Sequence, residues 1–285
     1  MISQISVHSP VTLPEAFGIL QQESGRVKVL AGGTDLLVAL NARVEVPAVF
    51  LNIWGLRELR GIADAGDHLR LGALTTYTQI IHSPLLLQHA PILVQASRLV
   101  GAAQIQNRGT LGGNIANASP AGDTLPVLAV LEADLEIGSG RGIRKIPFNQ
   151  FYTGYRQTLL APDELLLAVC LPKPAGEHWQ YFRKVGTRQA QAISKVVAAI
   201  AGRKNRPGRI EFIRIAYGSV APTVIRAAQT EALLAQQTLS QELIERARQS
   251  VMQEVHPISD VRSTEAYRRL ISGNILARAL REWQR

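Results

Sequence analysis

The sequence predicts an α+β protein built in three parts, and three observations carry that reading. Short strand-like runs alternate with short helical patterns up to about residue 56. From about residue 58 the texture changes to longer mixed segments. A proline–glycine cluster, Pro172 to Gly176, then separates these from a C-terminal stretch of strands followed by amphipathic helices. The parts run 1–56, 57–174 and 175–285. With 285 residues, 46% of them apolar and 19% charged, the chain has material for packed cores and falls outside the disordered class.

Ser9 to Pro14 reads as a turn and N-cap signal, and Glu15 to Leu20 as a short helix. Val27 to Ala31 is a strand that runs straight into Gly32-Gly33-Thr34-Asp35, and Leu36 to Leu40 starts a helix. Val49 to Ile53 is the next strand. Leu69 to Ala73 follows the Asp64-to-Asp67 turn as a strand. Thr76 to Ile81 and Ile92 to Val100 read as helices. Gly101 to Asp123 is a long run of small and polar residues, expected as irregular loop. Leu125 to Leu131 is apolar, Ala133 to Ile137 alternates as a strand, and Gly138 to Gly142 is a hairpin turn. Glu164 to Leu171 is a strand ended by Pro172. Trp179 to Val185 and Ile210 to Tyr217 are strands of an antiparallel sheet, and Ser194 to Ala201 fits a strand or a buried helix equally. Gln229 to Gln236, Gln241 to Val255 and Thr264 to Trp283 close the chain as helices.

Charge is divided unevenly. Residues 1–140 hold 8 Lys/Arg against 11 Asp/Glu, a net −3, and residues 141–285 hold 23 against 11, a net +12. Such a split suits an anionic ligand or an acidic protein surface. Nucleic acid is disfavoured, because the basic residues come singly or in pairs and aromatics make up only 5%. No apolar stretch is long enough for a membrane span, and Met1 to Pro10 lacks a secretory pattern, so a cytoplasmic protein is expected. Export to the periplasm would need a partner's signal. Cys170 is the single cysteine, read as a buried inert thiol; it cannot by itself hold an iron–sulfur cluster. The six histidines show no metal-binding spacing.

Two glycine-rich segments stand out. Ala31 to Asp35 lies between a strand and a helix start, where absent Cβ atoms let backbone N–H groups face an anion. A tight structural turn explains it as well, since it has neither the Rossmann nor the Walker pattern. Asn107 to Asp123 mixes glycines with Thr, Asn and Ser, whose hydrogen-bonding groups suit a phosphate-bearing heteroaromatic cofactor better than the alternative, a small-residue turn of a β-rich domain.

Taken together, AGGTDLL (Ala31 to Leu37) and NRGTLGGNIANASPAGDTLP (Asn107 to Pro126) resemble the FAD-binding medium subunits of molybdenum hydroxylases, the xanthine dehydrogenase and carbon monoxide dehydrogenase flavoprotein family. Phe182 to Lys195, Ala216 to Pro222 and Asp260 to Thr264 extend the resemblance across nearly the whole chain. It implies a two-subdomain, non-Rossmann FAD-binding fold of the PCMH or VAO-like type. FAD, bound without a covalent link, would lie between residues 1–56 and 57–174, and a carbon monoxide dehydrogenase flavoprotein-like C-terminal domain (175–285) would cover the flavin.

The resemblance also implies particular contacts. Val29, Leu30, Ala31, Gly32, Gly33, Thr34, Asp35 and Leu36 would hold the diphosphate. Thr110, Gly112, Gly113, Asn114, Ala118 and Ser119 would complete the diphosphate and ribityl site, and Asp123 would position the adenosine or ribose end. Leu166 would pack against the isoalloxazine and Lys184 would stand near its pyrimidine edge. By the same resemblance Gln191 would occupy a flavin-proximal position where NAD-reducing members of the family often have an acid. Expected partners are a molybdopterin-binding large subunit, a [2Fe–2S] small subunit and an external acceptor (NAD⁺, quinone or oxygen). A scaffold or anion-binding subunit that has lost its flavin is the alternative.

Overall fold

The computed structural model describes residues 5–42, 49–176, 178–188, 191–206 and 208–285. Its first part comprises β1 (Ser6–His8), α1 (Leu13–Gln22), β2 (Val27–Leu30), α2 (Leu36–Asn41) and β3 (Val49–Asn52). The strands form a parallel sheet in the order β1-β3-β2, so α1 crosses over β3 to connect β1 with β2. The Thr12 hydroxyl accepts the Glu15 N–H at the start of α1, and Pro14 sits in the first turn where its missing N–H costs nothing. The strand β1 was not apparent in the sequence because three residues are too few to show a period.

The second part contains β4 (Ile62–Asp64), β5 (His68–Gly72), α3 (Tyr77–Ile81), α4 (Pro84–His89), α5 (Pro91–Arg98), α6 (Ala103–Arg108), α7 (Leu111–Asn117) and α8 (Leu125–Val130). It continues through β6 (Asp134–Ser139), β7 (Gly142–Pro147), β8 (Tyr152–Gly154), β9 (Gln157–Thr158) and β10 (Leu165–Pro172). The five strands β4-β5-β10-β6-β7 make an antiparallel sheet, with β8 and β9 paired separately. Residues 138–142 turn the β6–β7 hairpin, and Pro172 is the last residue of β10, paired with His68. The irregular loop expected over Gly101 to Asp123 is a correction, because α6 and α7 occupy much of it. Gly112 and Gly113 lower helix propensity, yet the Thr110 cap and tertiary packing override it.

Strand β10 shows why a continuous apolar run is needed here. Leu165 and Leu167 join the α1 side of the sheet, with Ala16, Leu20 and Leu51. Leu166, Val169 and Leu171 join the helical side, with Leu111, Ile115 and Leu128. The faces switch phase at a bulge between Leu166 and Ala168. The freed Leu167 carbonyl accepts the Ala73 N–H at 2.8 Å. Cys170 is buried beside Glu136, and burial pushes its thiol up to about 11, so it is held protonated.

The third part holds β11 (Trp179–Val185), β12 (Val196–Lys204), β13 (Ile210–Gly218), β14 (Ile225–Arg226), α9 (Ala228–Leu234), α10 (Gln241–Glu254) and α11 (Glu265–Gln284). Its sheet is antiparallel in strand order. The ambiguous Ser194-to-Ala201 segment is strand, and its run of apolar residues has a two-sided cause. Val197, Ala199 and Ala201 face the second part, whereas Val196, Ala198 and Ile200 face the layer of α10 and α11. Within that layer Tyr217 is fully buried and its hydroxyl donates to the Ser272 carbonyl at 2.9 Å. Tyr217→Phe keeps the ring but removes this donor, leaving the Ser272 carbonyl only its bond within the helix. The expected loss is about 0.5–1.5 kcal/mol, read as a lower urea midpoint with an unchanged slope.

Candidate functional site: a cofactor cradle at the junction of the three parts

The two glycine segments meet backbone to backbone. A Cβ on Gly32 would lie 1.8 Å from the Arg108 carbonyl oxygen, so only glycine allows this approach. Gly33 has φ +80°, the left-handed region, which turns the chain out of β2 toward α2. Among the described residues, the amides of Gly32, Gly33, Thr34 and Asp35 have no acceptor in the chain. Asn117 Nδ2 donates to Asp35 Oδ2 at 3.0 Å, which ties the far end of α7 to this turn. Arg108 is itself braced, with its guanidinium 3.8 Å over the Trp54 ring and Arg60 over the same ring at 4.5 Å.

The second segment uses its groups differently. The Thr110 hydroxyl caps α7 by accepting from Gly113 N at 3.1 Å. Leu111 N donates to Thr75 O and Gly112 N to Ala73 O, both at 2.9 Å. The first amides of α7 are therefore engaged within the protein. Gly112 serves close packing, since a Cβ there would meet Ala73 at 2.6 Å. Asn114 Oδ1 accepts from the Thr124 hydroxyl at 2.9 Å, and Ala118 ends α7 in the left-handed conformation. Ser119 accepts from the amides of Ala121 and Gly122 through its hydroxyl and carbonyl, bending the chain toward Asp123.

Asp123 meets Lys184 in the interior. Lys184 Nζ lies 2.6 Å from Asp123 Oδ2 and donates to the Leu99 carbonyl at 2.9 Å. The side chains are only 10% and 6% exposed. Asp123 Oδ1 is buried with no hydrogen-bond partner among the described residues. Burial pushes the Asp123 carboxyl up to about 6, and the nearby Lys184 ammonium limits the rise.

Val29 and Leu30 lie in β2 and Leu36 opens α2, so both flank the turn directly. Ala31 faces Gly113 across the junction, 4.0 Å from where its Cβ would stand. Leu166 is buried behind α7, in the cluster that includes Leu111 and Ile115. Gln191 is exposed with φ +52°, and its carbonyl accepts from Arg188 at 2.5 Å. No hydrogen bond links Leu166 or Gln191 to the Asp123–Lys184 pair among the described residues. Gln189 and Ala190 of the Phe182-to-Lys195 segment lie outside the described residues. Sequence reasoning missed Trp54, Ser194, Ser219 and Arg268. Ser194 and Ser219 lay within the segments Phe182 to Lys195 and Ala216 to Pro222 without being singled out, and Arg268 left a signal of its own, a charge at the head of the buried four-residue stripe Arg268, Ser272, Leu276 and Leu280.

The donors and acceptors suit a dinucleotide cofactor. Open amides on the first turn match diphosphate oxygens, and the orphaned Asp123 Oδ1 requires a donor such as a hydroxyl or a ring N–H. An open recess of about 610 Å³ beside Trp179 and Trp283 is a poorer candidate, because its Arg203 and Lys204 already bind Glu211 and the Trp283 carbonyl. Among the described residues no group of His, Cys, Asp or Glu is placed to hold a metal ion.

Fold and cradle together define a two-layer cofactor module with an antiparallel domain packed on it. Residues 3–174 match the FAD binding domain in molybdopterin dehydrogenase, and residues 180–283 match the CO dehydrogenase flavoprotein C-terminal domain. The chain belongs to this family of FAD-binding oxidoreductase subunits, which act within larger complexes. It is 35% identical over 270 residues to the xanthine dehydrogenase FAD-binding subunit of Escherichia coli O157:H7, covering 94% of this chain and 92% of that one. It is 31% identical to the nicotinate dehydrogenase FAD-subunit of Eubacterium barkeri, covering 92% and 90%. A structure of carbon monoxide dehydrogenase from Hydrogenophaga pseudoflava, lacking the Mo-pyranopterin moiety, superposes with TM-score 0.94 at 30% identity, covering 99% and 98%.

Gly32→Ala should force the two glycine segments apart. The expected result is a stability loss of about 1–3 kcal/mol and protein purified with little FAD, read from the ratio of flavin to protein absorbance. Asp123 adds a pH dependence. Its folded pKa is raised from 3.8 to about 6, so its stabilising contribution is complete below pH 3.8 and is lost as pH rises through about 6. In apoprotein, the stability of wild type relative to Asp123→Asn should therefore fall across that window by about 3 kcal/mol, measured by urea unfolding.

Proposed function

We propose that this chain is the electron-transfer flavoprotein subunit of a molybdenum hydroxylase complex. Substrate would be oxidised at a molybdopterin site in a large subunit, and electrons would arrive through [2Fe–2S] centres of a small subunit. An external acceptor (NAD⁺, quinone or oxygen) would receive them. The observation that carries the reading is the dry Asp123–Lys184 pair, whose Oδ1 has no partner among the described residues, in a chain that matches FAD-binding subunits over nearly its whole length. When bound, FAD supplies a centre that takes electrons singly and releases them in pairs.

The protein's part is binding, orientation and exclusion of water. In this proposal FAD lies between residues 1–56 and 57–174, and residues 175–285 cover its outer side. The amides of Gly32 to Asp35 hold the diphosphate, and the 112–119 segment supports them from behind. Asp123 accepts a cofactor donor at Oδ1 while Lys184 compensates its charge. The Lys184 ammonium also favours electron density on the neighbouring ring. Leu166 closes an apolar wall, and the neutral Gln191 leaves the acceptor side without a carboxylate.

The direct test is the visible spectrum of the purified protein with cofactor identification after acid release, which should show FAD. In the assembled complex, Gln191→Asp should change the rate of electron transfer to NAD⁺ by about ten-fold while FAD content and the rate to a quinone stay as in wild type. An unchanged NAD⁺ rate would remove Gln191 from the acceptor side.

A further inference from the structure

The last helix buries a charge that its apolar stripe does not require. Arg268 is 4% exposed, and a guanidinium taken out of water costs several kcal/mol unless its donors are matched. Its Nη2 donates to Asp260 Oδ1 at 2.7 Å. Its Nη1 donates to the Ser219 carbonyl at 2.8 Å and the Lys195 carbonyl at 3.2 Å, while its buried Nε has no partner among the described residues. Asp260 is held in turn by the amides of Arg262 and Ser263, at 2.9 and 3.1 Å. Burial opposes ionisation of Asp260, but these amides and Arg268 outweigh it and keep the carboxyl at about 2, so the clamp stays charged above that pH.

The two captured carbonyls lead to the two ends of the buried ion pair. Lys195 donates its N–H to the Val185 carbonyl at 2.7 Å, and Val185 is the neighbour of Lys184. Ser219 donates its N–H to the Pro120 carbonyl at 2.8 Å, three residues before Asp123. The hydroxyls of Ser194 and Ser219 lie 2.8 Å apart, and Ser194 also reaches the Ala121 carbonyl at 3.4 Å. Ser219 has φ +66°, a conformation that a non-glycine residue keeps only when its surroundings over-determine it. One guanidinium on α11 therefore ties the backbone beside Lys184 to the turn that carries Asp123.

We propose that Arg268, seated on Asp260, is a positioning residue for the cofactor: it sets the separation of Asp123 and Lys184, and through them FAD affinity and the electronic state of the ring, without touching either. This rests on the reading of Asp123 and Lys184 as FAD contacts. Arg269 supplies the control. It donates to the carbonyls of Met252 and Val255 at 2.6 and 2.9 Å, so it staples the same helix to the end of α10, and among the described residues none of its hydrogen bonds is to Lys195 or Ser219.

The experiment titrates the full-length apoprotein with FAD, following flavin fluorescence and the visible band shape, for wild type, Arg268→Lys, Arg268→Leu, Asp260→Asn and Arg269→Leu. A lysine keeps the charge opposite Asp260 but cannot span both carbonyls. Arg268→Lys and Asp260→Asn should fold, weaken FAD about ten-fold and shift the flavin band, with Arg268→Leu at least as weak. Arg269→Leu should stay within about two-fold of wild type with an unchanged band. Wild-type affinity and band shape in both Arg268→Lys and Asp260→Asn would overturn the proposal, as would an equal loss in Arg269→Leu. Asp123→Asn run alongside separates the two readings. If it weakens FAD while the Arg268 variants do not, only the positioning role falls. If it binds FAD as wild type does, the underlying contact reading falls with it.

Discussion

An aspartate and a lysine meet in the interior of this protein where its second and third parts join, and much of the surrounding architecture keeps that meeting dry. Taking two charges out of water is repaid only when geometry is good and the remaining donors and acceptors are matched. Lys184 satisfies this through Asp123 and the Leu99 carbonyl. Asp123 does so only in part, since one oxygen has no partner among the described residues. The result is a carboxyl shifted up to about 6 and an acceptor waiting for a donor. A site of this kind is costly for the isolated chain and favourable for a chain that carries a polar cofactor.

The sheets on either side explain how the pair can be enclosed. Strand β10 and strand β12 are each covered on both faces, which is why each reads as an unbroken apolar run. In β10 the bulge after Leu166 changes which residues face the helices, and it presents the Leu167 carbonyl to Ala73. Gly112 then packs against Ala73, so α7 sits down on the sheet and brings its C-terminal turn to Asp35. On the other side the alanines of β12 leave room for α8 to approach.

The two glycine segments are similar in composition and unlike in use. In the first, the chain turns through Gly33 and leaves a row of amides without an acceptor among the described residues. In the second, helix α7 uses its own first amides, and its glycines permit packing. In the proposed site, anion binding therefore rests mainly on Gly32 to Asp35, and the second segment contributes position, its asparagines and the approach to Asp123.

Much of this was legible in the residues alone. The longer strands and helices followed from periodicity and from the proline–glycine punctuation, whereas short elements such as β1, β4 and α4 did not show; the cofactor class followed from two motifs whose order along the chain is specific. Local chemistry determined these features, because capping by Thr12 and the turn at Gly33 depend on neighbours a few residues away. The remainder was decided in three dimensions. Residues 101–123 read as loop because their glycines and polar side chains disfavour helix, yet contacts with Ala73 and Thr75 hold α7 in place. Whether Ser194 to Ala201 was strand or helix depended on what covered each face. Lys184 and Asp123 are 61 residues apart, and Arg268 reaches Lys195 and Ser219 across 73 and 49. Pairings at such separations leave no local pattern, because their energy comes from excluding water around groups that only the folded chain brings together.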